Sequence, residues 1–137
     1  MDDLNQARAL LEAEGYTCVL CRGQIFHTSR HRGVKPLMDL LGEDLRGFSA
    51  ADKVVGRATA LLYCLLGIRA LYAHTVSEDA LSVLTSHSIP VTFTHRVPFI
   101  QNRAGTGRCP MEEATTGITD PTLAPEAIRR KLKELQG

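Results

Sequence analysis

Cys109 stands directly before Pro110, a residue suited to the first position of a helix, so its thiol falls at a cap where the dipole favours the thiolate. A nucleophile there would attack an electrophilic carbon or phosphorus, with His74 or Glu112 as proton carrier. Arg103 and Arg108 would add positive charge nearby, although the same pattern also fits an inert cap. The preceding stretch, Asn102-Arg-Ala-Gly-Thr-Gly-Arg108, is a glycine-rich loop in which Gly105 and Gly107 flank Thr106 and let backbone approach a ligand closely. Asn102 and Arg103 are the side chains there best suited to recognising a polar ligand.

A second group consists of Ser49, Asp52, Lys53 and Ser77. Ser49 and Ser77 read as helix caps first and ligand contacts second, Asp52 as a capping carboxylate, and Lys53 as a cation for an anion or an ion pair. Cys18, Cys21, His27 and His31 form a Cys-x2-Cys-x5-His-x3-His string that resembles a zinc site. The central spacing is much shorter than a zinc finger's, and a strand would point Cys18 and Cys21 to opposite faces. No metal and no cofactor is therefore expected.

These residues need elements to hold them. The central one is read as a single helix from Ser49 to a left-handed stop at Gly67. Val54, Ala58, Leu61, Leu62 and Leu65 form its apolar stripe, and Val55, Tyr63, Cys64 and Leu66 widen that stripe nearly all round, as in a helix buried against a sheet. Upstream, Asp2 or Asp3 caps a first helix that turns Leu4, Ala7, Leu10 and Leu11 inward and ends at Gly15. Residues 16–21 and 24–28 read as a hairpin around Arg22-Gly23, residues 29–35 as loop, and Pro36 as the start of a short helix closed by Gly42. Downstream come a buried strand at 68–73 and a helix capped by Ser77. They are followed by a strand at 90–95, a short strand or break at 97–100, and a linker at Asp120-Pro121. A last helix starts at Pro125, with Ile128, Leu132 and Leu135 inward and Arg129, Arg130, Lys131 and Lys133 outward. Helical crossovers imply parallel strands with helices on both faces, hence an α/β fold with a mixed sheet and the hairpin strand at one edge.

Composition narrows the functions. The 137 residues fit one domain, and 44% hydrophobic with 23% charged residues is ordinary for a globular chain. A net charge of +1 argues against a general nucleic-acid or membrane-surface binder. The charges are uneven, however. No acid lies between Glu14 and Asp39, where Arg22, Arg30, Arg32 and Lys35 sit, nor between Asp79 and Glu112, where Arg96, Arg103 and Arg108 sit. The start lacks a basic leader and an apolar run, the four cysteines read as free thiols, and a cytoplasmic location is expected.

Three segments, Arg32-Gly-Val-Lys-Pro36, Phe48-Ser-Ala-Ala-Asp-Lys-Val-Val-Gly56 and Asn102-Arg-Ala-Gly-Thr-Gly-Arg-Cys-Pro-Met-Glu112, resemble those of a small prokaryotic family described as a domain of unknown function. The resemblance spans essentially the whole chain and implies a three-layer α/β/α sandwich, cytidine-deaminase-like. Zinc deaminases carry a His-x-Glu signature at one helix start and Pro-Cys-x-x-Cys at the next. The corresponding positions here read Ser49-Ala-Ala-Asp52 and Val76-Ser-Glu-Asp79, so zinc-dependent deamination is not expected.

In an open α/β sheet, ligands bind beyond the carboxyl ends of the parallel strands. The leading expectation is a small anionic or nucleotide-like ligand, held where the helix starts at Ser49, Ser77 and Cys109 converge. A Cys109-dependent hydrolase or transferase is the second reading, and a non-catalytic module that forms a homo-oligomer is the third.

Overall fold

The computed structural model describes residues 2–136. Helix α1 (Asp3–Glu14) is capped by Asp2, whose carboxylate accepts from the Asn5 amide at 2.8 Å. Strands β1 (Cys18–Arg22) and β2 (Ile25–Ser29) form the hairpin, joined by Gly23 and Gln24. A short helix α2 (Lys35–Asp39) follows, and then β3 (Ser49–Val55) and α3 (Arg57–Leu66). Strand β4 (Ala70–Ser77), helix α4 (Glu78–Ser86) and strand β5 (Val91–Val97) continue the alternation. Helix α5 (Pro110–Ala114), a 3-10 turn (Pro121–Leu123) and α6 (Ala124–Gln136) complete the chain.

The sheet order is β2-β1-β3-β4-β5. The pairs β3–β4 and β4–β5 are parallel, and β1 pairs antiparallel with both β2 and β3. This is the mixed α/β sheet expected, with β2 at one edge. Alternation along β1 divides the core: Cys18 and Leu20 belong to the larger apolar cluster beneath α3, while Val19 and Cys21 belong to a smaller one with Ala7 and Leu11 of α1. Helix α1 therefore covers one face, and α3, packed against α4, α5 and α6, covers the other.

The main departure from expectation lies in the central element. Residues 49–67 are not one helix but β3 followed by α3, with Gly56 between them as the N-cap. Ala50 and Ala51 are fully buried on opposite faces of the sheet, and no helix could place both so. Ser49 is thus a buried strand residue rather than a cap, and Asp52 and Lys53 lie late in β3 rather than at a helix head. Val54, expected in an apolar stripe, is 47% exposed. The expected end at Gly67 holds: it is left-handed (φ 72°), and its amide reaches the Tyr63 and Cys64 carbonyls, both at 3.1 Å. The strand expected at 68–73 runs on to Ser77, and 97–100 forms no strand of its own. Leu135 on α6 faces outward, 58% exposed.

Candidate functional site

The starts of α3, α4 and α5 meet at one carboxylate. Glu112, in the first turn of α5, is buried. Its Oε1 accepts from the Arg57 amide at 2.9 Å and from Ser77 Oγ at 2.9 Å, and its Oε2 accepts from the Ile100 amide at 3.0 Å. Gly56 has no side chain to cap α3, so Glu112 does so from 55 residues away. The fit is close: a Cβ on Gly56 would lie 2.9 Å from Glu112 Oε1 and 3.1 Å from Ile100 Cγ1. Ser77 caps α4 as expected, accepting from the Ala80 amide at 3.1 Å. The Arg57 side chain binds the same elements from outside, donating to the Thr115 and Ile118 carbonyls at 2.8 and 2.6 Å.

Beside this junction opens a cavity of about 870 Å3, within the range of small-molecule sites. Its wall is largely apolar, with Val34, Leu37, Ala58, Ile100 and Met111. Asp52 lies at its inner end, 8% exposed. Tyr63 donates to Asp52 Oδ2 at 2.7 Å, the Val54 amide donates to Oδ1 at 3.3 Å, and Cys18 Sγ is 3.3 Å from Tyr63 Oη. Burial pushes the Asp52 carboxyl up to about 7, against the opposing pull of its hydrogen bonds from Tyr63, Val54 and Lys53. Burial likewise keeps the Cys18 thiol protonated.

The mouth is cationic. Arg32, Lys53 and Arg103 come from three separate segments, all line the cavity, and all are exposed. Their side chains make no ion pair among the described residues. Arg30 also lines the mouth but is engaged, stacked over Tyr16 at 4.3 Å and donating to the Glu14 carbonyl. The two acid-free windows of the sequence thus meet here through Arg30, Arg32 and Arg103. Their other cations are occupied elsewhere: Lys35 on Asp39, Arg96 near Glu78, Arg22 on the Arg46 carbonyl and Arg108 over Phe99.

Of the residues singled out in the sequence, Asp52, Lys53, Asn102, Arg103, Cys109 and Glu112 line this cavity. Ser49, Ser77, His74, Gly105, Thr106 and Gly107 do not. Three roles change. Glu112 contacts the wall, but both its oxygens accept from protein donors, so its role is to join the helix starts. The Asn102 side chain is committed to its own loop, accepting from the Thr106 amide at 3.0 Å and donating to Thr106 Oγ1 at 3.2 Å. His74 points away to the sheet surface, exposed, with its ring 5.1 Å from that of His95. Cys109 is the N-cap of α5 as expected, although its side chain makes no capping bond. The four residues set against the first zinc signature belong to β3; the helix start after that strand reads Gly56-Arg57-Ala58-Thr59.

Sequence reasoning misses Tyr63 and Thr59 as site residues, and it considers Cys18 only as a metal ligand in the dismissed zinc-like string. Tyr63 carries a signal, because a phenol within an apolar helix requires a polar partner. Thr59 carries none.

The family described as a domain of unknown function (DUF1893) matches residues 6–132. A solved structure of a DUF1893 family protein (TM1506) from Thermotoga maritima aligns with a TM-score of 0.84 at 23% identity, covering 96% of this chain and 89% of that one. That likeness shows a shared fold. No curated protein matches the chain.

Proposed function

The chain belongs to the DUF1893 family, and we propose that it binds a small anionic, nucleotide-sized metabolite in the cavity between β3, α3 and the loop before α5. One observation carries this reading: Arg32, Lys53 and Arg103 converge on one opening without acidic partners. Cations kept unpaired around a concave apolar wall favour an anion that supplies the missing charge. The anion is held by side chains and not by the α3 amides as the sequence suggested, since Glu112 already takes the Arg57 amide. A cytidine-deaminase-like fold, which the sequence resemblance implies, would place a ligand site beyond the strand ends, without the zinc motifs.

The test is a thermal-shift and calorimetric screen with inorganic pyrophosphate, sugar phosphates and nucleoside monophosphates. A ligand at a hundred times its Kd should stabilise the wild type by about 2.7 kcal/mol. Lys53→Ala and Arg103→Ala should each weaken it at least tenfold. Equal binding by both variants would overturn the reading.

Cys109 supports a second reading, because its half-buried thiol lines the same cavity. Covalent catalysis there predicts that Cys109 is labelled ahead of Cys64, the other half-buried thiol, near neutral pH.

A further inference from the structure

The mouth accounts for a negative group and leaves the inner end of the cavity unexplained. Asp52 lines the cavity with only neutral donors behind it, the Tyr63 phenol and the backbone amides of Val54 and Lys53. Each oxygen of an ionised carboxylate has a second lone pair to offer. The groups around it are Cys18 of β1, Tyr63 of α3 and its own neighbour Lys53. Further out along the wall are Arg30, His31 and Arg32 before α2, Arg103 and Cys109 before α5, and Glu112, whose two oxygens accept from three protein donors. No cation lies within ion-pair distance of Asp52 among the described residues. A buried carboxylate without a counter-charge is costly and becomes favourable once a cation reaches it.

A second group points the same way. Thr59, in the first turn of α3, is 7% exposed and lines the cavity. Its hydroxyl makes no hydrogen bond within the described residues, yet it is not sealed from the cavity as a buried unsatisfied group. Two polar side chains at the inner end thus have capacity that the protein does not use.

We propose that the inner end of the cavity is a subsite for a planar, N–H-rich cation, an amidinium or guanidinium, with Asp52 as counter-charge and Thr59 as an additional acceptor. This rests on the cavity being a ligand site. The ligand class it defines is zwitterionic, negative at the mouth and positive at the inner end, with an apolar middle against Leu37, Ile100 and Met111.

Calorimetric titration with two separate probes tests this: benzamidine for the inner end and inorganic pyrophosphate for the mouth, with benzamide as the neutral isostere of the first. Benzamidine should bind at least tenfold tighter than benzamide at pH 8. Its affinity should fall about tenfold between pH 8 and pH 6, as a carboxyl near 7 takes up its proton. Imidazoles titrate in the same range, so the profile is repeated on His31→Gln and should persist. Asp52→Asn should lose benzamidine and keep pyrophosphate. Thr59→Val should weaken benzamidine several-fold, and Arg103→Ala should lose pyrophosphate alone.

Benzamidine binding unchanged in Asp52→Asn, or equal affinity for benzamide, would overturn the subsite while leaving the cationic mouth intact. Pyrophosphate binding that survives Lys53→Ala and Arg103→Ala would instead overturn the mouth and leave the subsite. Should Asp52→Asn fail to fold, the wild-type pH profile decides, and a flat profile overturns the proposal.

Discussion

Two buried carboxylates lie on neighbouring parts of the molecule and do opposite things. Around Glu112, where α3, α4 and α5 begin, three donors converge on two oxygens and Gly56 leaves room for nothing else. Around Asp52, at the inner end of the cavity, the donors are a phenol and the adjacent backbone amides, and the carboxylate lines the cavity. Equal burial therefore does not mean equal role. A carboxylate surrounded by protein donors closes a structure, whereas one with an open side and a carboxyl pushed towards neutrality is available to a ligand.

The largest expected effect breaks the saturated side. Glu112→Ala leaves the Arg57 amide, the Ile100 amide and the Ser77 hydroxyl without their acceptor, and should cost about 3–5 kcal/mol by chemical denaturation. A loss under 1 kcal/mol would erase the contrast, because Glu112 would then be no more structural than Asp52.

The next separates the two by pH. The Asp52 carboxyl sits at about 7 in the folded chain against an ordinary 3.8, so the folded state holds this proton more tightly than the unfolded one. That contribution is complete below about pH 4 and is lost as pH rises to about 7, after which it stays flat. Wild-type stability relative to Asp52→Asn should therefore decline by roughly 4 kcal/mol across that window, at 1.36 kcal/mol per unit. Parallel curves for the two proteins would place Asp52 in a wetter setting than its burial indicates.

The smallest effect sharpens the saturated side alone. Ser77→Ala removes both the cap on the Ala80 amide and one donor to Glu112, and should cost about 1–2 kcal/mol with benzamidine and pyrophosphate binding unchanged. A change in either affinity would show that the two regions are coupled.

Much of this arrangement was legible in the residues, and the illegible part has a physical cause. The hairpin, the Ser77 cap, Cys109-Pro110 as a helix start and Gly67 as a helix end are local signals, each decided within four or five residues. Residues 49–55 defeated the same reading because Ser-Ala-Ala-Asp-Lys carries helical preference and a plausible cap, while burial on both sheet faces comes from partners far along the chain. The pair Val54-Val55 before Gly56 was the available hint of a strand. The role of Glu112 is invisible at short range, since the helix it caps begins 55 positions earlier. Asp52 and Lys53 were chosen for a helix head they do not occupy, and they line the cavity all the same.

The backbone pairing of Cys18 with Asp52, reinforced by the Lys53 amide on the Thr17 carbonyl at 3.0 Å, ties the deep end of the cavity into the central ladder. Arg32 and Arg103, by contrast, stand on connecting segments that no ladder holds. Replacing either arginine should leave the scaffold untouched, so in the proposed reading the anion preference would rest on loop residues and the acidic anchor on the sheet. Such a division would let the proposed ligand change at the periphery without disturbing the core.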